Sequence, residues 1–234
     1  MSSQTPRSLG VLALDQGRPP SPGRPEAPDP DQNPASVDFQ IITETVAGAW
    51  AERVVRGDPA LEPAYIAAAR RLVERGAVAV SSNCGFTIRH QAAVAASVDV
   101  PVALSSLLLL PALIRQLPPS AKIAVLTYDS THCGDDLLGI DDPAERERVV
   151  VGGIEGSKYW HDELKHPAPP TDVDAMEMDV GACIARLRTA HPAIAAILFE
   201  CAGFPLVAPA IRRRTKLPVY DIIGVRRMIM ASVG

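Results

Sequence analysis

The feature that most constrains this chain is the order of its apolar runs. Short β-rich apolar runs, among them 9–14, 77–82, 122–127 and 194–200, alternate with amphipathic helical stretches, and that alternation predicts a parallel sheet flanked by helices. The order is also used twice. Each half reads helix, buried strand, cysteine, helix, short Pro-led strand, helix. The first half passes through Cys84 to Val100-Pro101-Val102-Ala103, the second through Cys201 to Leu217-Pro218-Val219-Tyr220. The two cysteines stand half a chain length apart. The expected fold is α/β, with two pseudo-symmetric doubly wound parallel-sheet domains, residues 1–117 and 118–234, and the active site in the cleft between them. In such sheets ligands bind outside the carboxyl ends of the strands, which is where both cysteines fall.

Element by element, strands are expected at 9–14, 39–44, 77–82 and 102–104, with helices at 63–75, 87–97 and 107–116. The second half opens after Pro118-Pro119 with strands at 122–127, 148–151, 194–200 and 219–221, helices at 173–190 and 206–213, and a terminal helix from Ile223. Residues 18–34, rich in Pro, Asp and Gly, can sustain neither a helix nor a central strand and read as a long loop.

Composition narrows the ligand. With 47% hydrophobic residues among 234, the chain can bury a real core. Its 23 basic and 27 acidic residues leave a net charge of −4, so no global field draws it to nucleic acid or an anionic membrane, and a small-molecule substrate is expected. The longest apolar region, 92–114, is interrupted by Asp99, Pro101 and Pro111, which argues against a membrane span. The run 9–14 is too short for a secretory leader. Four cysteines without close pairing, and isolated His132 and His191, predict neither a disulfide scaffold nor a metal site. A cytoplasmic protein with reduced thiols follows, and a homodimer is a reasonable expectation.

Cys84 lies in Ser81-Ser82-Asn83-Cys84-Gly85-Phe86, between a strand and a helix. A thiol there sits near a helix N-terminus, where unpaired N–H groups lower its pKa, and Gly85 permits the sharp turn and close approach of a ligand. Cys201 lies in Glu200-Cys201-Ala202-Gly203-Phe204-Pro205, again after a buried strand. Free cysteine usually behaves as a small hydrophobe, but two at equivalent places in two repeats point to a paired role: one removes a proton from carbon and the other delivers one to the opposite face. Cys133 has no such symmetry, and Cys183, beside Met176, Val180, Ile184 and Leu187, reads as core. Arg18, just after the first strand, is placed to reach a carboxylate. Lys158 and His161 fall in a segment read as a loop between strand and helix, either overhanging the cleft with Tyr159 and Trp160 excluding water or, the favoured reading, a surface loop packing those two rings on the domain.

These residues resemble the aspartate/glutamate racemase superfamily over nearly the whole chain. The resemblance implies two α/β halves with a cysteine pair at the cleft between them, and activity without pyridoxal phosphate, metal or other cofactor. The opening Leu12-Ala13-Leu14-Asp15-Gln16-Gly17 resembles a strand ending in Asp-Ser-Gly, which would make Asp15 a partner of the first cysteine. Thr127-Tyr128-Asp129-Ser130 resembles a Thr-x-x-Thr segment, so that Thr127 and Ser130 would bind the substrate carboxylate, while Ser82 and Asn83 would line the cleft. The Cys201-Ala202-Gly203 triplet resembles the hydantoin racemase branch, and Gly85, Ala202 and Gly203 would border the substrate. The implied activity is cofactor-independent racemisation or epimerisation, with Cys84 and Cys201 as acid and base at a carbon next to a carboxylate or amide. Hydantoin racemisation, a maleate-type isomerisation with one nucleophilic cysteine, and a non-catalytic binding protein remain the alternatives.

Overall fold

A computed structural model describes residues 7–17 and 39–233. Strand β1 (Ser8–Ala13) pairs in parallel with β2 (Gln40–Thr45) on one side and β3 (Ala77–Ser82) on the other, and β3 pairs with β4 (Val102–Ala103), giving the order β2-β1-β3-β4. The central position of β1 explains its composition: five of its six residues are buried, as a strand covered on both faces requires. In the second sheet β5 (Lys122–Thr127) takes the central place, flanked by β6 (Val149–Gly153) and β7 (Ile194–Phe199), with β8 (Val219–Tyr220) beyond, in the order β6-β5-β7-β8.

The repetition extends to the register. Between β1 and β3 the pairing slips at Ser8/Leu9, and between β5 and β7 it slips at the equivalent Lys122/Ile123. Two four-stranded parallel sheets with one topology and one irregularity are the α/β doubly wound pair expected from the sequence.

Helices supply the crossovers. A short α1 (Ala51–Arg56) follows β2, and α2 (Glu62–Glu74) packs its buried Tyr65, Ala68, Ala69 and Leu72 on the first sheet. The helix expected over 87–97 is instead a 3-10 segment, Gly85–His90, followed by α3 (Gln91–Ala95). Likewise the helix expected from 107 begins as the 3-10 turn Ser106–Leu109 and becomes α4 (Leu110–Gln116) at Leu110. Proline suits a helix's first turn, where its missing N–H forfeits no intrahelical hydrogen bond, and Pro111 stands in that turn of α4. Pro209 does the same for α8 (Ala208–Thr215).

Between these lie α5 (Pro143–Arg146), α6 (Lys158–Glu163) and α7 (Val173–Ala190). The segment around Lys158 and His161 is therefore a helix and not a surface loop. The Ser157 hydroxyl caps it, accepting from the Trp160 N–H at 3.2 Å, as a serine before a helix commonly does.

One cluster of buried side chains runs through both sheets. A second is closed by the last helix, α9 (Ile222–Ser232), whose Ile222, Val225 and Ile229 pack on Leu9, Val11, Ala79 and Ala103. This helix follows the second sheet in the chain but covers the first. Arg226, fully buried, fastens it there by donating to the Ser82 carbonyl at 2.7 Å and the Ser81 hydroxyl at 3.3 Å. Among the described residues no helix is long and apolar enough to cross a membrane.

Candidate active site

The two sheets bring their carboxyl ends to one cleft. Cys84 follows β3 and Cys201 follows β7, and the backbone holds both turns identically: the Asn83 N–H donates to the Leu12 carbonyl at 3.0 Å, the Glu200 N–H to the Leu126 carbonyl at 2.8 Å. Both cysteines line one small cavity of about 40 Å³, together with Asn83, Gly85, Ala202 and Gly203. These are the sequence-predicted residues that the fold assembles around one space.

Others among the predicted residues stand behind the wall. The Ser82 hydroxyl donates to the Leu12 carbonyl at 3.1 Å and accepts from the Cys84 N–H at 3.2 Å, so it braces the turn. Thr127 is buried and donates to Glu200 Oε2 at 2.7 Å. Ser130 is directed to Glu155, 2.7 Å away, outside the cavity. Asp15 accepts from the Gly17 and Gly48 N–H groups, each at 3.0 Å, ordering the loop after β1 and bordering a smaller neighbouring pocket. Arg18 and the 18–34 loop lie outside the described residues. Lys158 pairs with Asp162 at 2.6 Å, and His161 stacks edge-on against Trp160.

The walls hold residues outside the predicted set. Phe86, Tyr128 and Tyr159 provide aromatic faces, and Glu163 and Glu200 provide two carboxyl groups. Tyr128 is fixed by donating its hydroxyl proton to the Trp160 carbonyl at 2.6 Å and by stacking on the Trp160 ring. The Tyr159 hydroxyl lies over Gly203, where a Cβ would come within 2.5 Å of it. No Lys, Arg or His stands among the described residues lining this cavity. Glu163 was hidden by the loop reading of α6, whereas Tyr159 stands at the cleft, the alternative weighed against a surface-packing role. Glu200 was legible, since aligning the halves places it opposite Asn83.

Burial dominates the electrostatics. Both thiols are pushed up from the ordinary cysteine range, chiefly by desolvation and next by the Glu200 charge, although the Phe86 N–H at Cys84 and the Gly203 N–H at Cys201 pull the other way. The lowered thiol pKa expected from a helix N-terminus is not found. The segment after Cys84 is a six-residue 3-10 helix, whose weak dipole does not offset a site enclosed by protein. Each cysteine keeps part of its surface open to the cleft, but the opening is narrow and the sulfurs face mostly protein.

Glu200 is raised to about 7 by burial, opposed by the Thr127 hydroxyl, the Tyr128 N–H and the Arg89 charge. The cleft therefore holds two protonated thiols beside an acid that titrates near neutrality. Among the described residues no group of three or more His, Cys, Asp and Glu side chains is placed to hold a metal ion.

No family profile matches the chain. It is 31% identical over 226 residues to a dimethylsulfoniopropionate lyase of Durusdinium sp. clade D, covering 92% of this chain and 71% of that protein. Across the lyases of this name that it matches, the chain spans 45% to 71% of their lengths. Among solved structures, glutamate racemase from Francisella tularensis superposes with a TM-score of 0.59 at 12% identity, covering 97% of this chain and 80% of that one. Unliganded arylmalonate decarboxylase superposes with a TM-score of 0.56 at 18% identity, covering 97% and 93%. These structural likenesses show that the chain shares the fold of glutamate racemase and arylmalonate decarboxylase.

Proposed function

The chain belongs to the family of the dimethylsulfoniopropionate lyases, on the aspartate/glutamate racemase-like fold, and from that premise we propose that it is a carbon–sulfur lyase acting on a sulfonium carboxylate. One cysteine of the pair, as thiolate, takes the proton from the carbon next to the carboxylate, and the other, still a thiol, donates a hydrogen bond to the developing enolate. The electron pair of the broken C–H bond forms a carbon–carbon double bond. The β-carbon–sulfur bond breaks, and the sulfonium sulfur leaves with that bond's electrons as a neutral dialkyl sulfide. The proton remains on the cysteine until released.

The observation that carries this reading is the character of the wall. A cleft lined by Phe86, Tyr128 and Tyr159, with Glu163 and Glu200 and no described cation, favours a compact onium group. Aromatic faces attract such a cation, and more strongly when it is desolvated. The same wall is a poor host for the second carboxylate of aspartate or glutamate, which would meet the acids Glu163 and Glu200 at a cleft wall with no Lys, Arg or His among its described lining residues. That argues against acidic amino acids as substrates for the racemase expected from the sequence.

Racemisation of a neutral or cationic amino-acid derivative is the second reading, supported by the equivalent placement of Cys84 and Cys201 in two like halves. Incubation in deuterated water separates the two. Dimethylsulfoniopropionate yields dimethyl sulfide in the headspace and acrylate in solution under the first reading, and turnover is lost in both Cys84→Ser and Cys201→Ser. Deuterium at the α-carbon of an otherwise intact amino acid, with no sulfide release, supports the second. Full turnover in either serine variant overturns the thiol-pair chemistry.

A further inference from the structure

The residue before each cysteine braces the end of the neighbouring central strand. Before Cys84 it is Asn83, whose Oδ1 accepts the Leu14 N–H at 3.0 Å. Before Cys201 it is Glu200, whose carboxylate accepts the equivalent Tyr128 N–H and the Thr127 hydroxyl. An amide performs the bracing in the first half, so bracing alone does not call for an ionisable group in the second.

Glu200 also has an oxygen to spare. Its Oε1 has no hydrogen-bond partner among the described residues and is shut off from solvent, on a residue only 1% exposed. That oxygen reaches across to the first half. A Cβ on Gly85 would overlap both Oε1 and the carbonyl oxygen of Glu200, whereas the counterpart of Gly85, Ala202, carries a Cβ. Gly85 directly follows Cys84, and the charge of Glu200 bears on the Cys84 thiol. An orphan acceptor in a closed site is costly unless a proton reaches it.

We infer that Glu200 is the proton acceptor for the Cys84 thiol: the proton leaves sulfur and ends on the carboxylate, the S–H electron pair stays on sulfur as the thiolate, and the carboxylate becomes the neutral acid. This rests on the reading of Cys84 as a working thiol. The step moves one negative charge between neighbouring groups and creates no second ion in a desolvated cleft, which is what makes it feasible there. The new thiolate is received by the Phe86 and Thr87 N–H groups. Glu200 acts through the thiol and not on the substrate, and is in that sense a positioning residue.

The groups that face the carboxyl agree with this division of charge. The Thr127 hydroxyl, the Tyr128 N–H and Arg89 favour the carboxylate, while Cys84, Cys133 and Cys201 would each be opposed by it if ionised. Glu163 adds a like charge felt by both cleft thiols. Glu200 and the three thiols therefore share one negative charge above about pH 7, which rests on Glu200, and these groups titrate jointly.

Alkylation of Cys84 by iodoacetamide, followed site by site with mass spectrometry from roughly pH 5.5 to roughly pH 9, tests this without any substrate, so its outcome is separable from the identity of the reaction. In the wild type the rate climbs about tenfold per pH unit until the cluster carries its one charge, then levels near pH 7, because further deprotonation no longer changes how that charge is divided. In Glu200→Gln the rate climbs through the same range without levelling. In Thr127→Val, which removes a bond favouring the carboxylate, the levelling moves to higher pH. Absence of the break in the wild type, or its persistence in Glu200→Gln, overturns the proposal, and a break seen at Cys201 but not at Cys84 overturns the choice of thiol. Should Glu200→Gln fail to fold, an unmoved break in Thr127→Val is the overturning result.

Discussion

Gly85 and Glu200, from opposite halves of the molecule, fill adjoining volumes so closely that a Cβ on the glycine would overlap both the backbone carbonyl oxygen and the Oε1 of the glutamate. The two halves meet at a point with no room for one methyl group. Gly85→Ala is therefore expected to force them apart, at a cost of about 1–3 kcal/mol for overpacking. Urea unfolding reads the loss in midpoint, and thiol alkylation under native conditions reads the accompanying opening of the cleft. A variant as stable as the wild type would mean that the Glu200 backbone is free to yield.

Glu200 also makes stability depend on pH. Its pKa is raised in the folded protein, so between the ordinary glutamate range and about 7 the folded state binds more proton than the unfolded state. Stability from this group is present at low pH and is lost as pH rises through that window. Glu200→Gln removes the dependence. Its stability relative to the wild type is expected to improve, by on the order of a few kcal/mol, between about pH 5 and pH 8. Paired denaturation curves at the two pH values measure it, and parallel behaviour of the two proteins would contradict a raised pKa.

Arg226 ties α9 to the first sheet through the Ser82 carbonyl and the Ser81 hydroxyl. Arg226→Met keeps much of the volume but leaves these acceptors buried without their donor. A loss of about 2–4 kcal/mol is expected, from hydrogen bonds to a charged group together with an unsatisfied carbonyl. Hydrogen exchange should localise the added opening to α9 and β3, the strand that leads to Cys84. Uniform exchange across both halves would show instead that α9 is not fastened at this point.

Gly203 lies beneath the Tyr159 hydroxyl, where an added Cβ would stand 2.5 Å from the oxygen and 3.8 Å from the Cys201 sulfur. Gly203→Ala is expected to push the ring into the cleft and raise KM by about tenfold, the effect of a misplaced positioning group. Tyr159→Phe on that background removes the clashing atom, so part of the KM is expected to return. A double variant no better than Gly203→Ala would place the cause in the backbone after Cys201.

Much of the architecture was legible because a duplicated chain writes its strands twice. β3, β5 and α7 fall on the expected residues, since long buried strands and a capped amphipathic helix carry strong periodicity. Helix beginnings were less legible: Ser106–Leu109 and Phe204–Leu206 are 3-10 turns ahead of a helix with proline in its first turn, and apolar periodicity does not distinguish the two helix types over one turn. In the candidate site, the pairing of Cys84 with Cys201, and Asn83, Gly85, Ala202 and Gly203 around them, followed from position after equivalent strands. Thr127 and Ser130 were expected to face a ligand, but their hydroxyls are directed to Glu200 and Glu155. A hydroxyl's partner is set by whichever acceptor the fold brings near.

By itself, then, the sequence determined the two parallel sheets, their repeated order and the placement of a cysteine just after the carboxyl ends of β3 and β7, because these depend on local periodicity and strand–turn chemistry. Tertiary structure alone decided what surrounds the cysteines. Tyr128, Tyr159 and Glu163 converge on one cleft, α9 crosses back to cover the first sheet, and Glu200 fills the space against Gly85 of the other half. The direction of the thiol pKa shifts was decided there too, since desolvation and the Glu200 charge arise only when distant segments close over the same small volume.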